Sequence, residues 1–568
     1  MKRNALSVTI PANRFLFPGL LVLLALNAIV FWPVCSFDFV RWDDDISVTQ
    51  NPLLTDPWSG SLLARFFSGE HALRFKPLHW LLARGVHEAA GLNPVAWHAF
   101  NLGLHLASAA LFYLILRQVT KKLIPSRADG LSLQAEVCIL LGAATWSIHP
   151  LRAEPVAWVT ASTYPLAALW LLGALGCYLH AHRPAAHRGW MLAAWIFAVM
   201  AYASYPVTIT FSLWLIAVDV WWLGRRTTGD PVMGDRWKGF VLKHTCFLLP
   251  AALAVAITMW SRFATPGIFT TAPTVESVGL IERVTMALAT LTALAGRALW
   301  PVNLTPNLPP LTGSALAPEV LALAAIAAGA LLLAWRVRHR RPLVTLSVLG
   351  FAALSIPCLG LTERPNWPVD RYSYVAHLGL IGAVTIWLAT ARLSTTVQVT
   401  LTAATTILVI SLAGAARQQS LIWRDTGTLF THMAAHPNFE DNPRQQGHIY
   451  LLWANEETAK GNASSAAQLL EKAQQTYLKS SQRAVARGDY AEALSLSTHL
   501  ERHFGLTPTL RRERGAWFLR EHRVPEALRE LQAAAATLRD DERLRSLLAE
   551  AEAMASKSVS TASDAAKP

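Results

Sequence analysis

Three carboxylates stand side by side in Phe39-Val40-Arg41-Trp42-Asp43-Asp44-Asp45-Ile46, a few residues after the first long apolar run. Adjacent anions close to a membrane are electrostatically costly and call for a cation, a proton or a basic partner. Asp43 or Asp44 could take the proton of an acceptor hydroxyl, while the other orients that hydroxyl or holds a divalent cation. The same residues suit a solvated acidic turn ahead of a short helix, and the local sequence leaves both readings open. Two further segments carry comparable groups. His149-Pro150-Leu151-Arg152-Ala153-Glu154-Pro155 joins two apolar runs by a turn short enough to hold His149, Arg152 and Glu154 at the interface. Later, Thr362-Glu363-Arg364-Pro365 leads to Asp370-Arg371-Tyr372-Ser373-Tyr374 at the head of another run. An arginine there can grip phosphate oxygens bidentately, and residues of this kind also serve simply as interfacial anchors. Together the acids and arginines suggest a site for an anionic, lipid-linked substrate, in which Arg371, with Arg364 and Lys76, would face the phosphate.

Other chemistries find little support. His98 and His105 share a helix face with Asn101 nearby, but a histidine pair without a third ligand is more often packed or hydrogen-bonded than metal-binding. The 5 cysteines lie in or beside apolar runs without CxxC spacing and read as buried thiols. No Walker loop, dinucleotide fingerprint, HExxH or GxSxG occurs, so nucleotide hydrolysis, hydride transfer and acyl transfer lose their usual signatures. A divalent cation is the one cofactor left open.

The elements that must position these groups are membrane helices. Of 568 residues, 53% are hydrophobic and 15% charged, against roughly 25% charged in an ordinary soluble domain. The apolar residues form runs near the length that crosses a bilayer as a helix. These are 15–32, 100–116, 133–148, 156–179, 190–202, 207–223, 240–260, 316–335, 343–361, 374–391 and 399–416, about eleven spans. The first is too long for a signal-peptide core and reads as an uncleaved span. Segment 281–300 carries Glu282, Arg283 and Arg297 and is expected to lie at the interface rather than cross. On that count five basic clusters share one side: Lys2/Arg3/Arg14, Arg117/Lys121/Lys122/Arg127, Arg183/Arg188, Arg225/Arg226/Arg236/Lys238/Lys243 and Arg336/Arg338/Arg340/Arg341. The expectation is a cytoplasmic N-terminus with everything after Ala416 outside. Loop charges that set topology account for the net +13 better than nucleic-acid binding does. Many of the 22 Trp, among them Trp32, Trp42, Trp146, Trp158, Trp260 and Trp300, stand at run ends, where an amphipathic ring prefers the interface.

After Arg417 the composition turns to Gln, Glu, Arg and Ala with apolar residues at helical spacing. Gly488-Asp489-Tyr490-Ala491-Glu492-Ala493-Leu494 returns as Arg523-Val524-Pro525-Glu526-Ala527-Leu528, with Glu492 and Glu526 offset by 34, the tetratricopeptide period. The expected fold is all-α: a polytopic membrane bundle over 1–417, a connector over 418–442, tetratricopeptide-like helical repeats over 443–555 and a disordered tail over 556–568.

The strings FVRWDDDISVTQNPLL, FKPLHWLLARGVHEAAGLNPVAWHAFNLGLHLASAALFYLIL, HPLRAEPVAW, LWPVNLTP, DRYSYVAHLGL and WRDTGTLFTHMAAHPN resemble the transmembrane and tetratricopeptide-repeat proteins of the O-mannosyltransferase type and their bacterial relatives. The resemblance runs in matching order over about 15–438, with repeats following. It implies a C-type glycosyltransferase fold and a polyprenyl-phosphate sugar donor. It also implies that Asp43 and Asp44 match the acidic motif of the first outer loop, and that Asp370, Arg371 and Tyr372 match the family's Glu/Asp-Arg-Tyr segment. Two departures stand out: Ser162-Thr163-Tyr164 where relatives commonly read Arg-Lys-Asp, and Ser204-Tyr205-Pro206 where they commonly read Ser-Lys-Pro.

The expected function is a glycosyltransferase of the outer membrane face, in a bacterial inner membrane with periplasmic repeats, moving sugar to a protein or lipid acceptor. The alternative is an inactive membrane scaffold whose repeats bind a periplasmic or lumenal protein partner.

Overall fold

The computed structural model describes residues 15–71, 74–124, 131–183, 186–223, 233–264, 279–306, 317–361, 369–437, 439–441 and 443–564. Arg364 and the basic residues Lys2, Arg3, Arg14, Arg127, Arg225 and Arg226 lie outside them. The chain forms two compact units, Met1–His436 and Pro437–Pro568.

In the first unit the order is α1 (Leu16–Phe31), α2 (Pro52–Thr55), α3 (Gly60–Ser68), α4 (Pro77–Ala90), α5 (Pro94–Leu123) and α6 (Leu133–Ser147). Then come α7 (Ala153–Ala157), α8 (Thr163–Ala181), α9 (Gly189–Ser204), α10 (Phe211–Val218), α11 (Met233–Ala264) and α12 (Leu280–Leu299). The unit closes with α13 (Pro318–Val337), α14 (Pro342–Ser355), α15 (Ser373–Thr390), α16 (Thr395–Leu421) and α17 (Thr426–Ala434). The described residues contain no strand. Helices are what apolar runs must form where no water is present to satisfy backbone N–H and C=O groups. Their starts follow from local chemistry. Pro occupies the first turn of α4, α5, α13 and α14, where its missing N–H costs nothing. Asn93, Ser132 and Asp425 accept hydrogen bonds from Val95, Ala135 and Thr428 N–H and cap α5, α6 and α17.

Among the described residues, 8 helices are long and apolar enough to cross a membrane, and 3 shorter apolar helices, Leu133–Ser147, Gly189–Ser204 and Pro342–Cys358, accompany them. These coincide with the runs read from the sequence. α8 is central, buried along most of its length, whereas α16 turns Val399, Ile407 and Ile410 outward, as a lipid-facing helix does. α12 is amphipathic: Met286, Ala287, Thr290, Leu291 and Leu294 are buried, while Ile281 and Leu299 are exposed.

Polar keys lock the helices where hydrocarbon would leave such groups unsatisfied. His105 of α5 accepts from the Tyr374 hydroxyl of α15 at Nδ1 (2.7 Å), and its Nε2 faces Asn27 Oδ1 (3.1 Å) and Ser147 O (3.0 Å). Two acceptors at Nε2 fix the proton there. Gly142 lets α6 lie against α15, because a Cβ at that position would overlap Thr385.

Three expectations change. Trp146 and Trp158 are buried rather than interfacial: Trp146 donates to Tyr374 O (3.1 Å), and Trp158 stacks on Trp423 at 5.4 Å. The cysteines are half-buried except Cys246, which is exposed, because they sit on outward helix faces. Most of the expected connector folds onto the first unit, where Asp38 N–H donates to Arg424 O and Arg41 N–H to Thr426 Oγ1.

The second unit comprises α18 (Pro443–Ala459), α19 (Ala463–Ala486), α20 (Tyr490–Phe504), α21 (Pro508–Arg520), α22 (Val524–Ala535) and α23 (Glu542–Asp564). Glu492 and Glu526 are each the third residue of their helix, α20 and α22. α21 and α22 approach closely at Gly515, where a Cβ would come 2.5 Å from Leu531 Cγ. α23 continues to Asp564, into the tail expected to be irregular, as an extension of the Ala-rich stretch 549–555.

Candidate active site

After α1 the chain makes a 3-10 turn over Trp32–Ser36, runs without regular structure to Val40 and then turns sharply. Asp43 takes a left-handed backbone (φ 70°) and is exposed. That conformation is uncommon for a residue with a Cβ and marks a position the surroundings impose. Asp44 turns the other way and is 1% exposed. Its Oδ2 accepts from Val40 N–H (3.0 Å), and its Oδ1 accepts from Thr160 N–H (3.0 Å) and Thr160 Oγ1 (2.6 Å). Thr160 lies in the 3-10 turn Val159–Ser162 that leads into α8. The acidic loop is thereby tied to the start of the central helix. Burial raises the Asp44 carboxyl to about 7 despite these three donors, which favour its charged form.

Lys76, just before α4, is 4% exposed, with Nζ 4.0 Å from the centre of the Trp80 ring. Burial lowers its ammonium to about 7; the charge of Arg74 adds to the fall and that of Asp43 opposes it. Lys76 therefore stands within electrostatic reach of both Asp43 and Arg74.

The His149 to Glu154 segment, expected at the interface, is buried. Both His149 nitrogens are taken: Nδ1 accepts from Leu151 N–H (3.2 Å) and Nε2 donates to Ala298 O (3.1 Å). Burial, with the charge of Arg152, lowers its imidazole to about 3. Arg152 donates to Ser373 Oγ (2.5 Å) and lies over the rings of Trp146 and Tyr374. Glu154 receives the backbone N–H of Arg371 (2.9 Å) and its Nη1 (2.5 Å), joining two segments 217 positions apart. Arg371 thus spends its strongest donors on Glu154 and lies over the Trp158 and Tyr372 rings. Asp370 pairs with Arg297 of α12.

A cavity of about 470 Å³ opens between α8, α10, α11 and the ends of α9 and α14. Its walls are largely aliphatic, including Leu213, Leu248, Val255 and Met259. Its polar lining comprises Arg74, three tyrosines (Tyr164, Tyr205 and Tyr372) and two threonines, Thr210 and Thr258. The Tyr164 and Tyr205 rings lie 4.9 Å apart with their hydroxyls at 3.5 Å. Arg74 acts electrostatically on Tyr372 as well as on Lys76. Of the expected site residues, Tyr372 lines the cavity; Lys76 connects to it through Arg74, and Asp43 through Lys76; Arg371, held by Glu154, lies over the Tyr372 ring; Asp370 is committed to Arg297; and His149 is committed to Leu151 and Ala298.

Sequence reasoning missed Arg74 and Thr160. Arg74-Phe75-Lys76-Pro77, two cations before a helix-starting proline, was the available signal for the first. Nothing local marks Thr160. Among the described residues no group of three or more His, Cys, Asp or Glu side chains is gathered to hold a metal ion, and both Asp44 oxygens are engaged elsewhere.

No family model matches the chain. Over 184 residues it is 29% identical to protein O-mannosyl-transferase TMTC2 of Mus musculus, and over 192 residues 28% identical to that of Homo sapiens. Each match covers 31% of this chain and 20% of the relative, so it spans about a fifth of the length of these curated proteins. The crystal structure of ArnT from Cupriavidus metallidurans bound to undecaprenyl phosphate aligns at 14% identity over 92% of this chain and 88% of that one, with a TM-score of 0.36. The chain is an all-α polytopic protein with a helical second unit, and in sequence it resembles the TMTC-type O-mannosyl-transferases.

Proposed function

We propose that the first unit is a glycosyltransferase that moves a sugar from a polyprenyl-phosphate donor to a hydroxyl of a protein or lipid acceptor on the outer face of the membrane. The observation that carries this reading is the aliphatic cavity whose polar lining includes Arg74, Tyr164, Tyr205 and Tyr372, with Lys76 in electrostatic reach of Arg74 and of Asp43. The sequence likeness to O-mannosyl-transferases supports the same chemistry. In this reading the isoprenoid lies along Leu213, Leu248 and Val255, and the phosphate meets Arg74, Lys76 and the tyrosine hydroxyls. The acceptor oxygen bonds to the anomeric carbon as the bond from that carbon to the phosphate oxygen breaks. The acceptor proton passes to Asp43, and the charge gained by the leaving phosphate is met by Arg74 and Lys76. Asp44 is a positioning residue, since its oxygens are spent on Val40 and Thr160.

The outer location is supported by the basic clusters. Lys122 lies over Trp222, Arg183 lines the same cavity as Lys121 and Trp222, and Trp221 meets Trp335 beside Arg336, so members of three clusters gather at one end of the bundle. Asp43 and the tyrosines are at the other.

The test is sugar transfer from labelled polyprenyl-phosphate sugars in membranes containing the protein. Tyr164→Phe/Tyr205→Phe should weaken donor use, and Arg74→Gln should nearly abolish it, in protein that remains folded. Full transfer with Arg74→Gln overturns this assignment of the cavity. Absence of transfer by the unaltered protein with every donor tried leaves the scaffold reading in its place.

A further inference from the structure

α11 is among the least buried of the spanning helices, and beyond its middle it forms one wall of the cavity described above. Leu248, Ala251, Val255 and Thr258 recur at three- and four-residue spacing and line the cavity, while Leu249, Leu253 and Trp260 are exposed, as lipid-facing residues are. Ala252 and Val255 line the cavity and are exposed as well, and so is Leu213 of α10. The cavity therefore reaches the lipid at the seam between α10 and α11, within two spanning segments. A water-soluble substrate would need no such opening.

Pro250 stands where this wall begins. It has no N–H for the Cys246 carbonyl four residues earlier, and a proline ring crowds the carbonyl at that spacing. The indole N–H of Trp195 on α9 takes the Cys246 carbonyl instead (2.9 Å), and Ser212 Oγ of α10 donates to Phe247 O (2.9 Å). Such substitute donors are what let a proline interrupt a membrane helix. One turn earlier Asp219 holds Lys243 and His244. α11 is thus fastened by polar contacts up to Phe247 and interrupted just after them. Past Pro250 the Thr258 hydroxyl accepts from Phe75 N–H at 3.4 Å, the long end for such a bond. Phe75 lies between Arg74 and Lys76, so the far half of α11 is tied to the backbone that carries both cations.

We propose that α11 pivots at Pro250, and that the half beyond it is a movable wall past which the isoprenoid of a lipid-linked donor enters from the bilayer. Thr258 is a positioning residue: as the wall closes, its hydroxyl takes the Phe75 N–H and sets Arg74 and Lys76 against the phosphate. This inference rests on the reading of the cavity as the donor site.

The test follows a fluorescent polyprenyl phosphate entering and leaving the full chain in nanodiscs by stopped flow, with no sugar transfer involved. Pro250→Ala restores the backbone bond to Cys246 and should slow entry and exit alike by about tenfold with affinity little changed, the size of one added hydrogen bond resisting the motion. Trp195→Phe, which leaves the Cys246 carbonyl bare, should speed both; damage to the cavity would speed exit alone. Thr258→Val should weaken binding by about fivefold without slowing entry, and Thr258→Ser, which keeps the hydroxyl, should bind like the native chain. Native exchange rates in Pro250→Ala overturn the hinge, and if that variant does not fold, native rates in Trp195→Phe do so. Equal weakening by Thr258→Ser and Thr258→Val overturns the positioning role. Failure of the unaltered protein to bind the lipid overturns the donor-site reading itself, a result distinct from all of these.

Discussion

Replacing Asp44 by Asn keeps the shape of the side chain but converts one acceptor oxygen into a donor. In the native site Val40 N–H donates to one oxygen, and the Thr160 N–H and hydroxyl to the other. If the Asn oxygen faces Thr160, its amide confronts Val40 N–H; in the opposite orientation Thr160 N–H is orphaned. Either way one buried backbone donor is left without an acceptor, a cost of roughly 1–3 kcal/mol. The variant gains in one respect, since it never has to keep a charge in a site that is 1% exposed. Burial has raised the Asp44 carboxyl to about 7. A carboxyl raised on folding contributes stability in full below its unfolded value of about 3.9 and loses it as pH rises through 7. The native protein should therefore lose roughly 2–3 kcal/mol from this group between pH 5 and pH 8, an order-of-magnitude figure, and the Asn variant should lose nothing there. The deficit of Asp44→Asn is largest near pH 5 and closes toward pH 8. Thermal unfolding of purified protein across that range measures it. Asp43→Asn should melt like the native protein and lose about 10²–10⁴ in transfer rate, the usual share of a general base. The reasoning fails if Asp44→Asn melts like the native protein at every pH and abolishes transfer as deeply as Asp43→Asn, because Asp44 would then be the base.

Glu154→Ala should destabilise the first unit by about 3–5 kcal/mol, since it strands the Arg371 guanidinium; Glu154→Ala/Arg371→Met should recover part of that loss in a thermal double-mutant cycle. Gly515→Ala drives a methyl group to within 2.5 Å of Leu531 Cγ and should cost about 1–3 kcal/mol, read as earlier proteolysis after Pro437 with the first unit intact. A reporter active only in the cytoplasm should stay silent when fused after His436; strong activity there would reverse the proposed orientation.

The bundle was legible because apolar runs in lipid have one common outcome, and the runs coincide with helices. Their ends were less so. The run read over 100–116 belongs to a helix spanning Pro94–Leu123, because polar residues, His98 before the run and Arg117, Lys121 and Lys122 after it, prolong the helix without adding to the apolar run that marks it. Asn101 Nδ2 lies within hydrogen-bonding distance of the carbonyls of Pro155, Val156 and Trp158. The candidate site divides in the same way. Acids and arginines could be picked out by type, but which of them pair is a tertiary fact: Arg371 meets Glu154, and Asp370 meets Arg297. Arg74 escaped notice because Tyr372, on which it acts at the cavity, comes from a distant part of the chain.

The His105 key has a consequence for how the protein tolerates different membranes. Tyr374 lies one turn beyond Arg371, and its hydroxyl is held by a ring that is also fastened to Asn27 and Ser147. An axial slip of one residue moves a helix about 1.5 Å, enough to break a bond of 2.7 Å where no solvent can replace it. The insertion depth of Arg371 is therefore referenced to α1, α5 and α6 rather than to the lipid. When bilayer thickness changes, the helices must tilt together as one body, and the spacing between Arg371 and the groups around it persists.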